Sequence, residues 1–315
     1  MYWTRLLCVL AGAALASAAD LKLGIIGTDT SHVAAFSKVL NDPSSPDHIP
    51  GAKIVAAFKG GSPDISSSAT RVDNYAKELS EKWGIEIVPD IKTLVGKVDA
   101  ILLESVDGRK HLPQFREIAA AGKKLPVFID KPLAGTLEDA REIDRIAKRS
   151  GIRWFSASSL RWSEIGTTMK FPDTKSVLTW GPGPEEKTHY LDLSWYAIHP
   201  VEMLFTLMGP GCTEVARMTA ADGDVVTCKW SDGRIGMVRT GKPYSDYGAI
   251  VFRGKTTTQS TPKMRAGYTP MLREVVKFFQ GGPLPVPNEE TLEMFAFMDA
   301  AQKSKEQGGK PVKLR

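Results

Sequence analysis

The stretch Pro126-Val-Phe-Ile-Asp-Lys-Pro-Leu-Ala134 is the segment that most clearly indicates the fold of this chain. The apolar residues after Pro126 are typical of a strand that is buried on both faces of a parallel sheet. Pro132 cannot donate to a sheet ladder and disfavours helix at Lys131, so the strand is predicted to stop with Lys131 extended at its carboxyl end. Ligands of open α/β sheets bind outside these ends, which makes Lys131 a candidate for chemistry. The alternative is a solvated lysine in a loop.

Short apolar runs alternate with amphipathic segments on both sides of this stretch. Thr136 and Gly151 are predicted to cap the clearest helix, because Asp139 completes a capping box and glycine is the usual residue after a helix. Repeated βα units of this length predict a parallel, doubly wound Rossmann sheet over residues 20–155. The predicted strands begin at Leu21, Lys53, Ile85, Asp99, Val127 and Ile152.

The pattern changes after Ser156, where a strand from Lys175 and a helix from Ser194 to Met208 precede several more strands. Ser231-Asp-Gly233 is a hairpin-turn signal between two of these strands, and two helices are predicted to close the chain. We therefore expect residues 156–315 to form an α+β domain with an open antiparallel sheet.

The composition is that of a globular protein. The chain has 315 residues with 42% hydrophobic content and a net charge of +5. This length suggests two domains. Lysines and arginines are scattered among acids, and no basic stripe with interleaved aromatic residues occurs, so nucleic acid is not expected as a partner.

The first residues resemble a secretory signal peptide rather than part of the fold. Arg5 precedes an apolar run from Leu6 to Ala14, and small residues before Asp20 offer cleavage near Ala19. Residues 1–19 are therefore predicted to be removed, which predicts an exported, periplasmic or secreted protein with no membrane span in its mature form. An uncleaved anchor is the alternative.

Two cysteines remain after such cleavage, Cys212 and Cys228. In an oxidising compartment they could form a disulfide, but spacing alone leaves two buried thiols equally open. The histidines are dispersed, without the short spacings of common metal sites, so no metal is predicted.

The turn after the first predicted strand reads Gly27-Thr-Asp-Thr-Ser-His32. In a dinucleotide-binding fold, this turn is rich in glycine and leads into a helix whose N-terminus receives the pyrophosphate. Only Gly27 of the Gly-x-Gly-x-x-Gly pattern is present. Asp29 adds a charge that disfavours phosphate unless the side chain is turned away. An ordinary βα turn capped by Thr30 or Ser31 is the alternative.

Three further polar residues follow predicted strand ends. Lys59 ends the second strand, where an acid would bind a ribose hydroxyl and a cation favours a 2′-phosphate, so NADP is slightly favoured over NAD. Glu104 ends the fourth strand, and His111 begins the next helix on the same edge as Lys131. A solvated lysine and a capping or packing histidine are the alternatives.

A second constellation lies in the predicted helix that begins at Ser194. Trp195, His199 and Glu202 would share one helix face, and Pro200 could introduce a kink at His199. Histidine is suited to proton transfer, and Glu202 could orient its imidazole. A buried core histidine is the alternative.

These features together resemble the glucose–fructose oxidoreductase, inositol dehydrogenase and rhizopine-catabolism (Gfo/Idh/MocA) family. Asp130-Lys131-Pro132 is similar to that family's Glu-Lys-Pro signature, and the resemblance extends from about Lys22 to the end of the chain. It implies a Rossmann domain that binds NAD or NADP and a second domain that shapes a sugar or polyol site. Family members often associate through the second sheet, which implies a possible homo-oligomer.

The resemblance also implies residue roles. Lys131 would hold nicotinamide and substrate hydroxyl, and His199 would be the acid/base. The implied cofactor-binding residues are Gly27, Thr28, Asp29, Ser31, His32, Lys59, Glu104, His111 and Lys131. The implied substrate-binding residues are Lys131, Arg161, Trp195, His199 and Glu202.

The chain departs from the family pattern at the glycine motif, at Trp195, where an Asp is common, and at Glu202, where an Asp is also common. The expected function is hydride transfer at a hydroxyl carbon of a sugar or polyol, with or without a coupled lyase or hydrolase step. The alternative is a non-redox carbohydrate-binding or structural relative that keeps the fold.

Overall fold

The computed structural model describes residues 19–314 of the chain. The predicted signal peptide, apart from Ala19, lies outside these described residues. No helix between residues 19 and 314 is both long and apolar enough to cross a membrane.

The first sheet has six parallel strands in the order β3-β2-β1-β4-β5-β6. The order reverses direction between β1 and β4, which opens a crevice at the carboxyl ends of these two strands. The Rossmann prediction is thereby confirmed. The strands are β1 (Leu21–Ile26), β2 (Ala52–Phe58), β3 (Glu86–Ile87), β4 (Ala100–Leu103), β5 (Val127–Asp130) and β6 (Trp154–Ala157).

Helices connect these strands and cover both faces of the sheet. They are α1 (His32–Asn41), α2 (Ser66–Ala69), α3 (Val72–Trp83), α4 (Ile91–Lys97), α5 (His111–Ala120) and α6 (Leu137–Ser150). The predicted caps of α6 are confirmed, since the Thr136 hydroxyl accepts from the Asp139 N–H and Gly151 has φ 66°.

Alternate residues of the central strands enter two different apolar clusters. In β4, Leu102 packs with α1 and α3, whereas Ile101 packs with α4, α5 and α6. Phe128 and Ile129 divide in the same way in β5. Burial on both faces explains why these strands read as continuous apolar runs in the sequence.

The second sheet has seven strands in the order β12-β11-β7-β10-β9-β8-β13. It is mixed, because β10 runs parallel to β7, so the expectation of an open antiparallel sheet was wrong at this one pairing. Strands β8, β9 and β10 form an antiparallel meander. The last of them, β10, lies beside β7 and runs in the same direction as β7. The strands are β7 (Thr174–Pro182), β8 (Cys212–Ala220), β9 (Gly223–Trp230), β10 (Ile235–Gly241), β11 (Gly248–Arg253), β12 (Thr257–Gln259) and β13 (Val312–Lys313).

Four helices accompany this sheet: α7 (Glu164–Thr168), α8 (Ile198–Met208), α9 (Thr269–Phe279) and α10 (Asn288–Glu306). Helix α9 returns to the Rossmann sheet, where Met271 and Leu272 join the cluster of α1 and α3. Helix α10 contributes Phe295 and Phe297 to the cluster that joins the two sheets. The last helices therefore pack the two sheets against each other.

Helix α8 begins four residues later than the sequence indicated. Trp195 follows a 3₁₀ turn of residues 192–194 and lies before the helix, so it does not share a helix face with His199. Pro200 consequently falls in the first turn of α8, where its missing N–H costs no helical hydrogen bond. The expectation of a kink at His199 was therefore wrong.

Cys212 and Cys228 form a disulfide between β8 and β9, with their Cα atoms 6.0 Å apart. The structure thus selects one of the two alternatives that the sequence left open.

Candidate functional site

The site is a cleft between the carboxyl edge of the Rossmann sheet and the start of α8. Two neighbouring cavities, of 290 and 690 Å³, share a wall formed by His32, Lys131, His199 and Tyr268. We refer to them as the small and the large chamber. Cavities in this size range accommodate cofactors and small substrates.

The large chamber is bounded by the β1–α1 turn on one side and by α2 on the other. Thr30 and Ser31 at the start of α1 face Ser66, Ser67, Thr70 and Arg71, and Trp195 lies at the end nearest the second domain. The small chamber is lined by Ser159, Leu160, Tyr247 and Met271 in addition to the shared wall.

The structure brings Lys131 and His199 to the same wall, as the sequence predicted. Lys131 directly follows β5, and its Nζ lies 3.8 Å from Asp130 Oδ2. His199 lies in the first turn of α8. Burial, reinforced by the positive charge of Lys131, lowers the pKa of His199 to about 3. The imidazole is therefore neutral at pH 7 and available to accept a proton.

A serine holds the imidazole of His199. Its Nδ1 lies 2.7 Å from the Ser158 hydroxyl, which also accepts the N–H of Leu160. Tyr247 packs edge-on against the ring, with centroids 5.7 Å apart. These contacts fix the ring plane and leave Nε2 as the nitrogen without a partner in the hydrogen bonds of the described residues.

Glu202 does not orient His199, so that expectation was wrong. Its carboxylate accepts from Arg161 Nε at 2.5 Å, and the Arg161 Nη2 lies 2.7 Å from Glu290. Arg161 and Glu202, which belongs to α8, form a buried ion pair. Neither is among the described residues that line the two chambers. One helical turn separates His199 from Glu202, but Arg161 lies closer to Glu202 than the imidazole does.

The β1–α1 turn is built around Gly27. Gly27 has φ 94°, and a Cβ there would lie 2.4 Å from the backbone nitrogen of Ser105, so no larger residue fits. The Thr28 side chain is buried and donates to the carbonyl of Val72 at 2.8 Å. The turn therefore holds the ends of β1 and β4 in close contact, and Thr28 does not reach the cleft.

Asp29 is turned away from the cleft. Its carboxylate is buried and accepts from the Ser68 hydroxyl at 2.5 Å and from the Val106 N–H at 3.2 Å. Burial raises the pKa of Asp29, although these hydrogen bonds oppose the rise. The negative charge that would have repelled a phosphate is thereby removed from the turn surface.

His32 forms a cluster with Glu104 and Asp130 at the floor of the cleft. His32 Nδ1 lies 3.0 Å from Asp130 Oδ2 and 3.7 Å from Glu104 Oε2. Burial alone would lower the pKa of His32, but the charge of Asp130 raises it to about 9. Burial raises the pKa of Glu104, and the charges of His32 and Lys131 overcome burial to lower that of Asp130.

Two further predicted cofactor contacts, Lys59 and His111, also lie outside the chambers. Lys59 Nζ pairs with Asp73 at 2.7 Å on the surface, so Lys59 gives no basis for choosing between NAD and NADP. His111 is buried, with Nδ1 3.2 Å from the Leu133 carbonyl and Nε2 2.8 Å from that of Ser105. It joins the segments after β4 and β5, which is the packing role given as the alternative.

Sequence reasoning did not identify four residues of the cleft: Arg71, Ser158, Tyr247 and Tyr268. Tyr268, the residue before α9, packs on His32 with ring centroids 4.8 Å apart and completes the shared wall. No described carboxylate pairs with Arg71. All four lie outside regular helices and strands, so periodicity gave no signal for them.

The residues of the large chamber fit a dinucleotide. The N–H groups of Thr30 and Ser31 make no hydrogen bond within the described residues and lie at the N-terminus of the ten-residue helix α1. Such N–H groups and the helix dipole attract anions, and Arg71 adds a cation on the facing wall. The Asp29 carboxylate is turned away from the cleft, so its charge does not repel a phosphate there.

Residues 21–158 match the model of the oxidoreductase family GFO_IDH_MocA, NAD-binding Rossmann fold. No curated protein sequence matches the chain at a significant level.

Solved structures match nearly the whole chain. A probable dehydrogenase from Thermotoga maritima is 20% identical with a TM-score of 0.73, covering 93% of this chain and 99% of that one. Myo-inositol dehydrogenase from Lactobacillus casei, in complex with NAD(H) and myo-inositol, is 15% identical with a TM-score of 0.73, covering 94% and 97%. Apo scyllo-inositol dehydrogenase from the same organism is 13% identical with a TM-score of 0.72, covering 94% and 98%. At these identities the similarity establishes the fold.

Proposed function

We propose that the protein oxidises a hydroxyl carbon of a sugar or polyol with NAD or NADP, because residues 21–158 match the model of the Gfo/Idh/MocA oxidoreductase family. The observation that carries this proposal is the shared wall of the two chambers, where Lys131 and His199 meet. The large chamber would take the dinucleotide and the small chamber the substrate.

Lys131 would position the substrate. Its ammonium group stands at the end of β5 with Asp130 as its charged neighbour, and it can donate to the hydroxyl that is oxidised. Holding that oxygen by a fixed donor orients the carbon for reaction, which is a large part of what an active site contributes. Once the carbonyl forms, the same donor stabilises its oxygen.

His199 would take the hydroxyl proton at Nε2. This requires the tautomer in which Nδ1–H donates to the Ser158 hydroxyl, and Ser158 Oγ has lone pairs for both His199 and the Leu160 N–H. The low pKa of His199 keeps the imidazole unprotonated before the reaction. NAD or NADP, when bound, supplies the acceptor for the hydride that leaves the carbon.

The chemistry of the walls supports a polyhydroxylated substrate. The small chamber combines the polar groups of His32, Lys131 and Ser159 with the rings of Tyr247 and Tyr268. Trp195 lies half-buried at the edge of the large chamber and does not line the small one, so it would contact the substrate only where the substrate extends past the shared wall. A lyase or hydrolase step that follows oxidation would use the same two side chains.

The test is reduction of NAD+ or NADP+ by a panel of inositols, aldoses and sugar acids, followed through the absorbance of the reduced nicotinamide. We expect turnover of at least one polyol, and a fall in kcat of about 10²–10⁴-fold in Lys131→Ala and in His199→Gln. The control is Lys53→Ala, an exposed lysine of β2, which should retain wild-type rates.

Ser158→Ala separates a positioning role from a structural one. We expect kcat to fall by about fivefold, since one hydrogen bond of about 1 kcal/mol is lost, while dinucleotide affinity stays the same. Failure of the wild type to bind either dinucleotide would contradict the redox proposal and favour the non-redox alternative.

We also propose that the protein acts after export. The N-terminal sequence pattern and the disulfide between Cys212 and Cys228 are both consistent with an oxidising compartment. The mass of the protein recovered from cells should correspond to a chain that starts near Asp20. A full-length chain in the cytosolic fraction would contradict this part of the proposal.

The outer face of the second sheet supports association of copies. Met218 lies opposite Val225, and Ile235 and Phe252 both lie in register with Ser176, so the four apolar side chains share one exposed face. Exposed apolar side chains that share one face of a sheet favour an interface between copies. Light scattering should therefore give a dimer or tetramer, and Ile235→Glu should shift it toward monomer.

A further inference from the structure

The residues at the floor of the small chamber are suited to a metal ion. His32, Glu104 and Asp130 each offer one ligand atom, and these atoms all lie within 4.8 Å of one another. They come from three elements, the start of α1 and the ends of β4 and β5. We infer that this cluster is a binding site for one divalent transition-metal ion.

The spacing of the ligand atoms is close to that around a shared ion, and the 3.0 Å contact between His32 and Asp130 is also of hydrogen-bond length. An ion that binds nitrogen and oxygen at about 2.1 Å holds neighbouring ligands roughly 3.0 to 3.4 Å apart. The distances from His32 Nδ1 are 3.0 Å to Asp130 and 3.7 Å to Glu104. The three atoms lie within 4.8 Å of one another, so the Glu104 side chain has to rotate toward the other two before all three bind one ion.

The second observation is that the donor atoms lack partners. Glu104 is fully buried, and both of its carboxylate oxygens make no hydrogen bond within the described residues. His32 Nδ1 and Asp130 Oδ2 also complete none, because their short contact does not follow the N–H direction. A buried carboxylate without donors is costly, and a bound cation would remove that cost.

The ligand chemistry indicates which ion. One imidazole and two carboxylates favour zinc, manganese or iron over calcium and magnesium, which prefer oxygen alone. Three protein ligands leave at least one coordination position open toward the small chamber, which His32 and Asp130 line. Lys131 Nζ lies 3.8 Å from Asp130 and repels a cation, so the affinity is expected to be moderate.

A bound ion would add a contact to the substrate of the proposed reaction, and the fold does not require it. It could bind an oxygen of the substrate beside the hydroxyl held by Lys131, which selects vicinal diols or 2-hydroxy acids. This consequence for the substrate rests on the proposed function, whereas the metal site itself does not.

The experiment measures binding directly. The mature protein is stripped with a chelator and titrated calorimetrically with Mn²⁺, Zn²⁺ and Co²⁺ in the absence of dinucleotide. We expect one equivalent to bind and the Co²⁺ form to show a visible ligand-field spectrum. No binding by the wild type would overturn the inference, and it would leave the redox proposal standing, because dinucleotide binding is measured separately.

Two variants locate the ion. Glu104→Gln and His32→Gln should each weaken binding by at least about 100-fold, because even groups one shell further out contribute 10–100-fold. His32 lies at the cleft surface, so His32→Gln remains informative if the more buried variant does not fold. Wild-type affinity in either folded variant would overturn the assignment.

The matched control is Asp144→Asn on α6. Asp144 is also buried and has a carboxylate oxygen without a partner, but it lies away from the cleft. It should bind the ion as the wild type does. A loss of binding in this control equal to that in Glu104→Gln would mean that the effect is not local and would also overturn the assignment.

Discussion

Two buried clusters near the cleft contain the same kinds of charge, one basic and two acidic side chains, but differ in how well the charges are paired. In the first, Arg161 contacts Glu202 at 2.5 Å and Glu290 at 2.7 Å. In the second, only one nitrogen of His32 approaches Glu104 and Asp130, at 3.7 and 3.0 Å.

The difference follows from the number of donors on the base. A guanidinium has five N–H groups and can serve two carboxylates at once, whereas one imidazole nitrogen can serve only one. In the Arg161 cluster each carboxylate therefore lies against a different nitrogen of the guanidinium, which links α8 to α10, although Glu290 Oε1 completes no hydrogen bond. The His32 cluster is incomplete and lines the cleft, which is what a ligand site requires.

The largest effect on stability is expected when the Arg161 cluster loses its arginine. Arg161→Met leaves Glu202 and Glu290 buried without a cation, which should lower the free energy of unfolding by about 3–5 kcal/mol. Denaturant unfolding measures it. Arg149→Met removes an exposed ion pair with Glu142 and should change stability by less than about 1 kcal/mol. Similar losses in both variants would contradict the distinction between the buried and exposed pairs.

In the His32 cluster, removal of a charge should raise the free energy of unfolding rather than lower it. In metal-free protein, Glu104→Gln removes a buried charge that has no donor, so the free energy of unfolding should rise by about 1 kcal/mol. The same denaturant experiment compares it with Arg161→Met. A loss as large as that of Arg161→Met would mean that both clusters hold the fold in the same way.

The pH dependence of stability tests the burial of His199, which lowers its pKa. Its folded pKa is about 3 against an ordinary value of 6.5, so its contribution is complete above pH 6.5. Below that pH the unfolded chain binds the proton first, and stability falls until about pH 3. Wild type should therefore lose up to about 1.4 kcal/mol per pH unit more than His199→Gln in this window. If the stability of wild type and of His199→Gln changed equally with pH between 6.5 and 3, the low pKa of His199 would be contradicted.

The smallest effect is expected at Lys59. Its amine pairs with Asp73 outside the chambers. Lys59→Ala should therefore change the ratio of NAD to NADP affinity by less than about twofold, since exposed pairs contribute little. A selective loss of NADP affinity would show instead that Lys59 leaves Asp73 to bind a 2′-phosphate.

The sequence predicted the fold well because burial on both faces leaves a continuous apolar run that turn residues interrupt. It also located Lys131, since Pro132 ends the strand at a known edge of the sheet. The parallel pairing of β7 with β10 could not be read from local pattern, because it depends on the path of the whole meander.

The site was harder to predict because its contacts are long-range. Glu202 lies one turn from His199 on α8, yet its partner Arg161 comes from a different segment. His32, Glu104 and Asp130 are far apart in sequence, and a search for short spacings cannot detect a cluster that the sheet assembles. The side-chain direction of Asp29 likewise depends on Ser68, which lies after another strand.

The central claim is that the large chamber receives a dinucleotide at the start of α1, next to Lys131 and His199. The most direct test is calorimetric titration of NAD+ and NADH into wild type and Ser31→Asp. The Ser31 side chain is exposed and makes no capping hydrogen bond, so folding should be unaffected, but the charge of an aspartate there faces the pyrophosphate position. We predict one bound dinucleotide in wild type and at least tenfold weaker binding in Ser31→Asp, with Ser44→Asp as the exposed control. Equal affinity in all three proteins, or no binding by wild type, would contradict the account.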